Sequence, residues 1–196
     1  MKKILILSFY HSLILSLLIG CGGRDYSPKP KAYPRLELPK HQYQALTGNY
    51  PYSFEYSKYA RVYPDTFAKA EPYWIFLHYP AFKASVQLTY KPVLNDPKRL
   101  QNMIDDAHRL SLKHNIKAYS IQEATLTSKS GRTVGFINLM GEVPSHIQFY
   151  TTDSTKHFLR GAFYLNTATD NDSLKPVIDY VRQDVLHLIN TLKWKK

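Results

Sequence analysis

Cys21 is the only cysteine among 196 residues. One thiol cannot close an internal disulfide or assemble a cysteine metal site. Whatever folds beyond Cys21 must therefore be held together by burial of apolar surface. The 176 residues from Cys21 onward suffice for that. A chain of this length is one domain by expectation and buries roughly 70% of the surface its unfolded form exposes. No internal repeat divides it.

The residues before Cys21 have their own logic. Met1-Lys2-Lys3 leads into an apolar run from Ile4 to Ile19, which ends in Gly20-Cys21. A positive start, a short apolar stretch and a small residue before a cut form the layout of a secretory signal. The run carries Ser8, His11, Ser12 and Ser16 and is shorter than the ~20 residues that span a bilayer. Leu18-Ile19-Gly20-Cys21 resembles the lipobox of bacterial lipoproteins, where the thiol takes a diacylglycerol and the signal is cut just before it. Residues 1–20 are thus expected to be a signal peptide. Cys21 is expected to be the lipidation site, with acyl chains such as palmitate as its anchor. Each buried methylene contributes about 0.8 kcal/mol and one chain anchors only marginally, so the two or three chains of a lipoprotein hold firmly.

Without residues 1–20 the formal charge is +9, from 24 Lys and Arg against 15 Asp and Glu. In a cytosolic protein such a balance would suggest nucleic acid. In an exported lipoprotein no nucleic acid is expected, and the anions at hand are lipid head groups, lipopolysaccharide or acidic partners.

Residues 21–49 read as a lipidated N-terminus followed by a tether. Gly22-Gly23 is flexible, and Ser27-Pro28-Lys29-Pro30-Lys31, Pro34 and Pro39 favour extended polyproline II. At ~3.1 Å per residue, such a tether holds a body up to about 50 Å from its membrane. Residues 50–196 read as a single globular domain. Phe54, Tyr56 and Tyr59 mark a strand and turn ended by Pro64. Trp74–Tyr79 is an apolar strand stopped by Pro80, and Ala84, Val86, Leu88 and Tyr90 alternate with polar residues. Asp96-Pro97 caps and opens a helix whose apolar face is Leu100, Met103, Ile104, Ala107 and Leu110. Four strands are predicted next, over Ala118–Leu126, Thr133–Met140, Ile147–Thr152 and Phe158–Leu165, the first two joined by a turn at Lys129-Ser130-Gly131. Asp170-Asn171-Asp172-Ser173 caps a second helix that presents Leu174, Val177, Ile178, Val181, Val185, Leu188 and Leu192. Strands, helix, strands, helix is the order of an α+β fold, an antiparallel sheet with two main helices packed on it.

Motifs of catalysis are sparse. The chain has no phosphate-binding glycine loop, no G-x-S-x-G elbow and no H-E-x-x-H. His108 and His114 are six apart, on different sides of a helix. Asp184 and His187 are three apart and face one another across one turn, an arrangement better suited to a surface hydrogen bond than to a metal. Thr151–His157 gathers Ser154, Asp153, Lys156 and His157, but triads are assembled in space from distant segments. A hairpin turn, with Asp153 and Ser154 bonding local N–H groups, is the simpler expectation. The 16 Tyr could make a glycan-stacking surface, though sheet packing accounts for most of them. No catalytic, cofactor or metal residue is expected.

Several strings in order resemble one family. They are Gly20-Cys21, Pro28-Lys29-Pro30-Lys31 with Tyr33 and Arg35, the run from Tyr50 to Ser57, and Leu88-Thr89-Tyr90-Lys91-Pro92. The longest runs from Gln148 to Gly161, and Asp184, His187, Leu192 and Trp194 close the series. Together they make the chain similar to the gliding motility lipoprotein GldD family. The resemblance implies a cell-envelope lipoprotein required for gliding, without catalytic residues. It implies as partners other gliding and type IX secretion lipoproteins, besides the membrane reached through Cys21. It makes the chain a non-catalytic assembly or stability factor. Surface lipoproteins of such bacteria tend to carry an acidic run after the cysteine. Here Gly22-Gly23-Arg24-Asp25 follows, which points to the periplasmic face of the outer membrane. The element order is also similar to the PsbP-like α/β/α sandwich, a scaffold for binding. The competing class is an envelope enzyme or glycan-binding protein acting on peptidoglycan or lipopolysaccharide. A deep pocket of convergent polar groups would mark it.

Overall fold

A computed structural model describes residues 37–113, 117–166 and 171–195. Three short strands come first, β1 (Tyr43–Ala45), β2 (Tyr52–Ser53) and β3 (Glu55–Ser57). They are followed by β4 (Arg61–Pro64), β5 (Ile75–Tyr79), β6 (Ala84–Pro92) and helix α1 (Pro97–Leu112). Then come β7 (Ala118–Thr127), β8 (Thr133–Gly141), β9 (Ser145–Thr152), β10 (His157–Leu165), helix α2 (Asn171–Thr191) and β11 (Lys193–Trp194). Seven strands form one sheet in the order β4-β5-β6-β10-β9-β8-β7, each antiparallel to its neighbours. The α+β class with two main helices on an antiparallel sheet is as expected from the sequence.

Alternation explains the layers. In β6, Ala84, Val86, Leu88 and Tyr90 are buried on one face. Ile75 and Leu77 of β5, Leu159 and Phe163 of β10 and Phe149 of β9 extend that face. Helix α2 lays Val177, Val181, Val185 and Leu188 on it, and β1–β3 complete the cover. Each Val, Leu or Phe fully buried there contributes about 1.5–3 kcal/mol. On the opposite face the cover is partial. Helix α1 packs Met103 and Ala107 against Val93 and Phe158 and so lies over β9 and β10. The helix starts where expected, since the Asp96 carboxylate accepts the N–H groups of Lys98 at 2.9 Å and Arg99 at 3.1 Å, with Pro97 first in the helix.

Two glycines let aromatic rings lie flat on the sheet. Gly161 is the cross-strand partner of Phe149, and a Cβ on it would sit 2.1 Å from that ring. On the other face Gly135 opposes Tyr150, and a Cβ on it would sit 2.3 Å from that ring. At the β7–β8 hairpin, Gly131 takes φ +78° and Ser128 N–H reaches Arg132 O at 2.9 Å, so the turn falls where Lys129-Ser130-Gly131 placed it.

The structure corrects or bounds the sequence reading at several points. The globular body does not begin at Tyr50. Leu38 already packs on the core, and β1, in the segment assigned to the tether, pairs with β3. Near the end of the described residues, Lys193-Trp194 pairs as β11 with β2. Asp184 and His187 do not face each other. The signal, Cys21, most of the tether and Asp170 of the expected cap lie outside the described residues.

Candidate functional site

The cluster from Thr151 to His157 is the β9–β10 turn. One oxygen of Asp153 accepts three backbone N–H groups, from Thr155 at 3.0 Å and from Lys156 and His157 at 2.8 Å. Burial raises the Asp153 pKa, but those three donors and the nearby His157 outweigh it and hold the carboxyl below its ordinary range. Ser154 takes φ 66°, and its N–H goes to the Thr152 hydroxyl. His157 sits at a junction of segments. Its Nδ1 pairs with the Tyr90 hydroxyl at 2.9 Å, and its ring stacks on Trp194 of β11 with centroids 5.0 Å apart. Burial pushes the imidazole pKa down, Asp153 partly restores it and Lys156 lowers it again. The cluster brings together the residues of a turn, as the sequence suggested.

Asp184, expected near His187, is instead a buried anchor of the N-terminal arm. Its side chain is 1% exposed and pairs with His41 Nδ1 at 2.7 Å, while the Tyr79 hydroxyl donates to its other oxygen at 3.2 Å. Burial first, then the Asp184 charge, pushes the Tyr43 hydroxyl up to about 12 and Tyr79 well above its usual value. The neighbouring phenols thus remain donors to the carboxylate. His187 turns away, bonds Glu55 at 2.8 Å and lies flat on Tyr43 with 3.5 Å between centroids. His108 reaches Glu123 and Tyr150 at 3.2 Å each, while His114 is outside the described residues. Among the described residues no three His, Cys, Asp or Glu side chains are grouped to hold a metal.

A concavity lies elsewhere, where α1 leaves the sheet uncovered. A cavity of about 610 Å³ opens between α1 and the face of β6 and β10. Met103, Ala107 and Leu110 give it one apolar wall, Phe158 part of its base and Trp74 its far side. Four cations line it, Lys91, Arg99, Lys113 and Arg160, against one acid, Asp106. Lys91 is held by Glu71 at 2.8 Å, and Asp106 by Arg109 at 2.6 Å. Arg99 gives its Nε to the Pro92 carbonyl, and Arg160 gives an Nη to Gln148 Oε1 at 2.5 Å. Arg160 Nε and Gln148 Nε2 are buried and find no acceptor among the described residues.

The sequence reading missed this cavity. Lys91 and Arg160 occupy outward strand positions, which alternation assigns to solvent. A faint signal was the apolar face of α1, which reaches Leu110, a residue still 36% exposed.

The family model of gliding motility lipoprotein GldD matches residues 23–194. Among curated proteins no match is found. The solution structure of cyanobacterial PsbP (CyanoP) from Synechocystis sp. PCC 6803 is similar over 86% of this chain and 100% of that chain, at 12% sequence identity and a TM-score of 0.46.

Proposed function

The chain belongs to the gliding motility lipoprotein GldD family, whose members are anchored by lipid and act in gliding motility, and from that premise we propose that it is a non-catalytic assembly or stability factor of the gliding and type IX secretion machinery. In this reading Cys21 carries the lipid and the outer membrane holds it. The body faces the periplasm, where other envelope lipoproteins of the machinery are its partners.

The observation that carries the non-catalytic part is how the acid–base groups are spent. His41 joins the N-terminal arm to α2, His187 joins α2 to β3, and His157 joins β10 to β6 and β11. Each fastens segments far apart in the chain, and Asp153 is consumed by its own turn. A body fastened at these places suits a scaffold held at fixed range from a membrane-bound machine.

A second reading rests on one pair. His41, oriented by a buried carboxylate and 27% exposed, has the arrangement of a general base. Chromosomal His41→Gln and His157→Gln variants separate the two. If the protein is a scaffold, cells with normal levels of either variant glide, and crosslinking of native envelopes recovers the same partner set as wild type. Abundant, folded His41→Gln protein that abolishes gliding while keeping its partners would support the enzyme.

A further inference from the structure

We propose that the groove beside α1 is a lipid-phosphate site, taking one acyl chain along its apolar wall and a phosphate head group among Arg99, Lys113 and Arg160. This goes beyond the scaffold role and does not depend on it.

Charge is the first argument. Of the four cations lining the groove only Lys91 has a carboxylate partner, and the one lining acid is matched by Arg109. Arg99, Lys113 and Arg160 are paired with no carboxylate among the described residues. Three uncompensated cations around one cavity exceed what a single carboxylate neutralises and suit a phosphate, which accepts bonds from several guanidinium and ammonium donors. Arg160 Nε, buried and without an acceptor, supplies a donor still to be used.

The walls give the second argument. Met103, Ala107, Leu110 and Phe158 make a continuous apolar side, and a volume of about 610 Å³ lies within the ~300–1,000 Å³ of sites that enclose small ligands. Such a wall beside a cluster of cations matches a molecule with an apolar body and an anionic end.

The sheet tells against a peptide. β6 is hydrogen-bonded to β5 and β10 on its two sides, and β10 to β6 and β9. The base of the groove therefore offers no free strand edge to a peptide backbone. Two of its polar side chains are also committed, Gln87 to Asp65 at 2.8 Å and Thr89 to the Arg160 carbonyl. An acyl chain asks for no backbone partner.

The test uses the full lipidated chain in a neutral sugar detergent, in a Trp194→Phe background where Trp74 is the remaining indole. Octyl phosphate, octanoate, octyl glucoside, inorganic phosphate and an acidic apolar peptide are titrated, followed by Trp74 emission and calorimetry. Saturable binding of octyl phosphate is expected, at least ten-fold tighter than octanoate or inorganic phosphate, with none for octyl glucoside. Lys113→Gln, at an exposed position, should weaken it several-fold with an unchanged unfolding midpoint, and Arg99→Gln should weaken it by at least as much. Leu110→Glu, at a lining position that is still 36% exposed, should abolish it. Equal affinity for inorganic phosphate would reduce the groove to an adventitious anion site. Equal affinity for octanoate overturns the phosphate assignment, equal affinity for octyl glucoside overturns the role of charge, and tighter binding of the peptide overturns the lipid. No saturable signal by either method overturns the site itself.

Discussion

His41 and Asp184 lie 143 positions apart in the chain and 2.7 Å apart in the fold. The pair closes the N-terminal arm onto α2 at a point where the carboxylate is almost wholly out of water. His41→Ala removes the donor at 2.7 Å and leaves a buried acceptor short of a partner, which costs about 1–3 kcal/mol. Urea unfolding should show a lower midpoint with an unchanged slope. An unaltered midpoint would mean that the arm is held by β1 and Leu38 alone.

Gly161→Ala should be as harmful as a core mutation although it adds one methyl group. The new Cβ would meet the Phe149 ring at 2.1 Å, and both residues lie in interior strands that cannot move apart. Overpacking of this kind costs about 1–3 kcal/mol. Phe149→Leu in the same chain should recover part of the loss, and a double-mutant cycle should give a coupling of at least about 0.5 kcal/mol. Strict additivity would rule out the ring as the obstacle.

Acid should destabilise the body in two separate windows. His157 has a folded pKa below 6.5, so as pH falls through that value the unfolded chain gains a proton that the folded one refuses, and stability drops. Asp153 has a folded pKa below 3.8, so its contribution is complete above that value and is lost as pH falls towards the folded pKa. Melting temperature should fall as pH drops below 6.5 and fall further as it drops below 3.8. His157→Gln should flatten the first step and leave the second, and a variant that keeps both steps would assign the first to another histidine.

The anchor and its reach can be tested together in cells. Cys21→Ser should leave an unprocessed protein, and a processed Cys21→Ser protein that still pellets with membranes would refute lipidation there. Deleting residues 24–34, which stops short of Leu38, should leave a folded, lipidated protein that no longer supports gliding. Tethering sets effective concentration, and that contribution collapses when the linker cannot span the gap. A scrambled segment of equal length should restore function if reach is what matters.

What the sequence disclosed was whatever repeats locally. The alternation of β6, the i, i+4 face of α2 from Val177 to Val185, the Asp96-Pro97 start and the Asp153 turn all carry their signal within a few neighbours, and all are found where expected. Strands of two or three residues have no period to detect, so β1, β2 and β11 were invisible and the arm before Tyr50 read as tether. Asp184 was misassigned because helical spacing names only neighbours on the same helix, whereas burial selected His41 and Tyr79 from other segments. The groove was hidden for a related reason. Lys91 and Arg160 are outward on their strands, and only the placement of α1 decides whether outward means open water or the wall of a cavity.

The pairing of Trp194 with Tyr52 also bears on the timing of folding. A polypeptide made or threaded N-terminus first exposes Tyr52 long before α2 and β11 arrive to cover it, and Tyr52 is fully buried only in the finished body. Closure of the large core thus waits on segments that emerge late, and contacts so distant in sequence form slowly. Until then the chain lacks α2, the main cover of its apolar face.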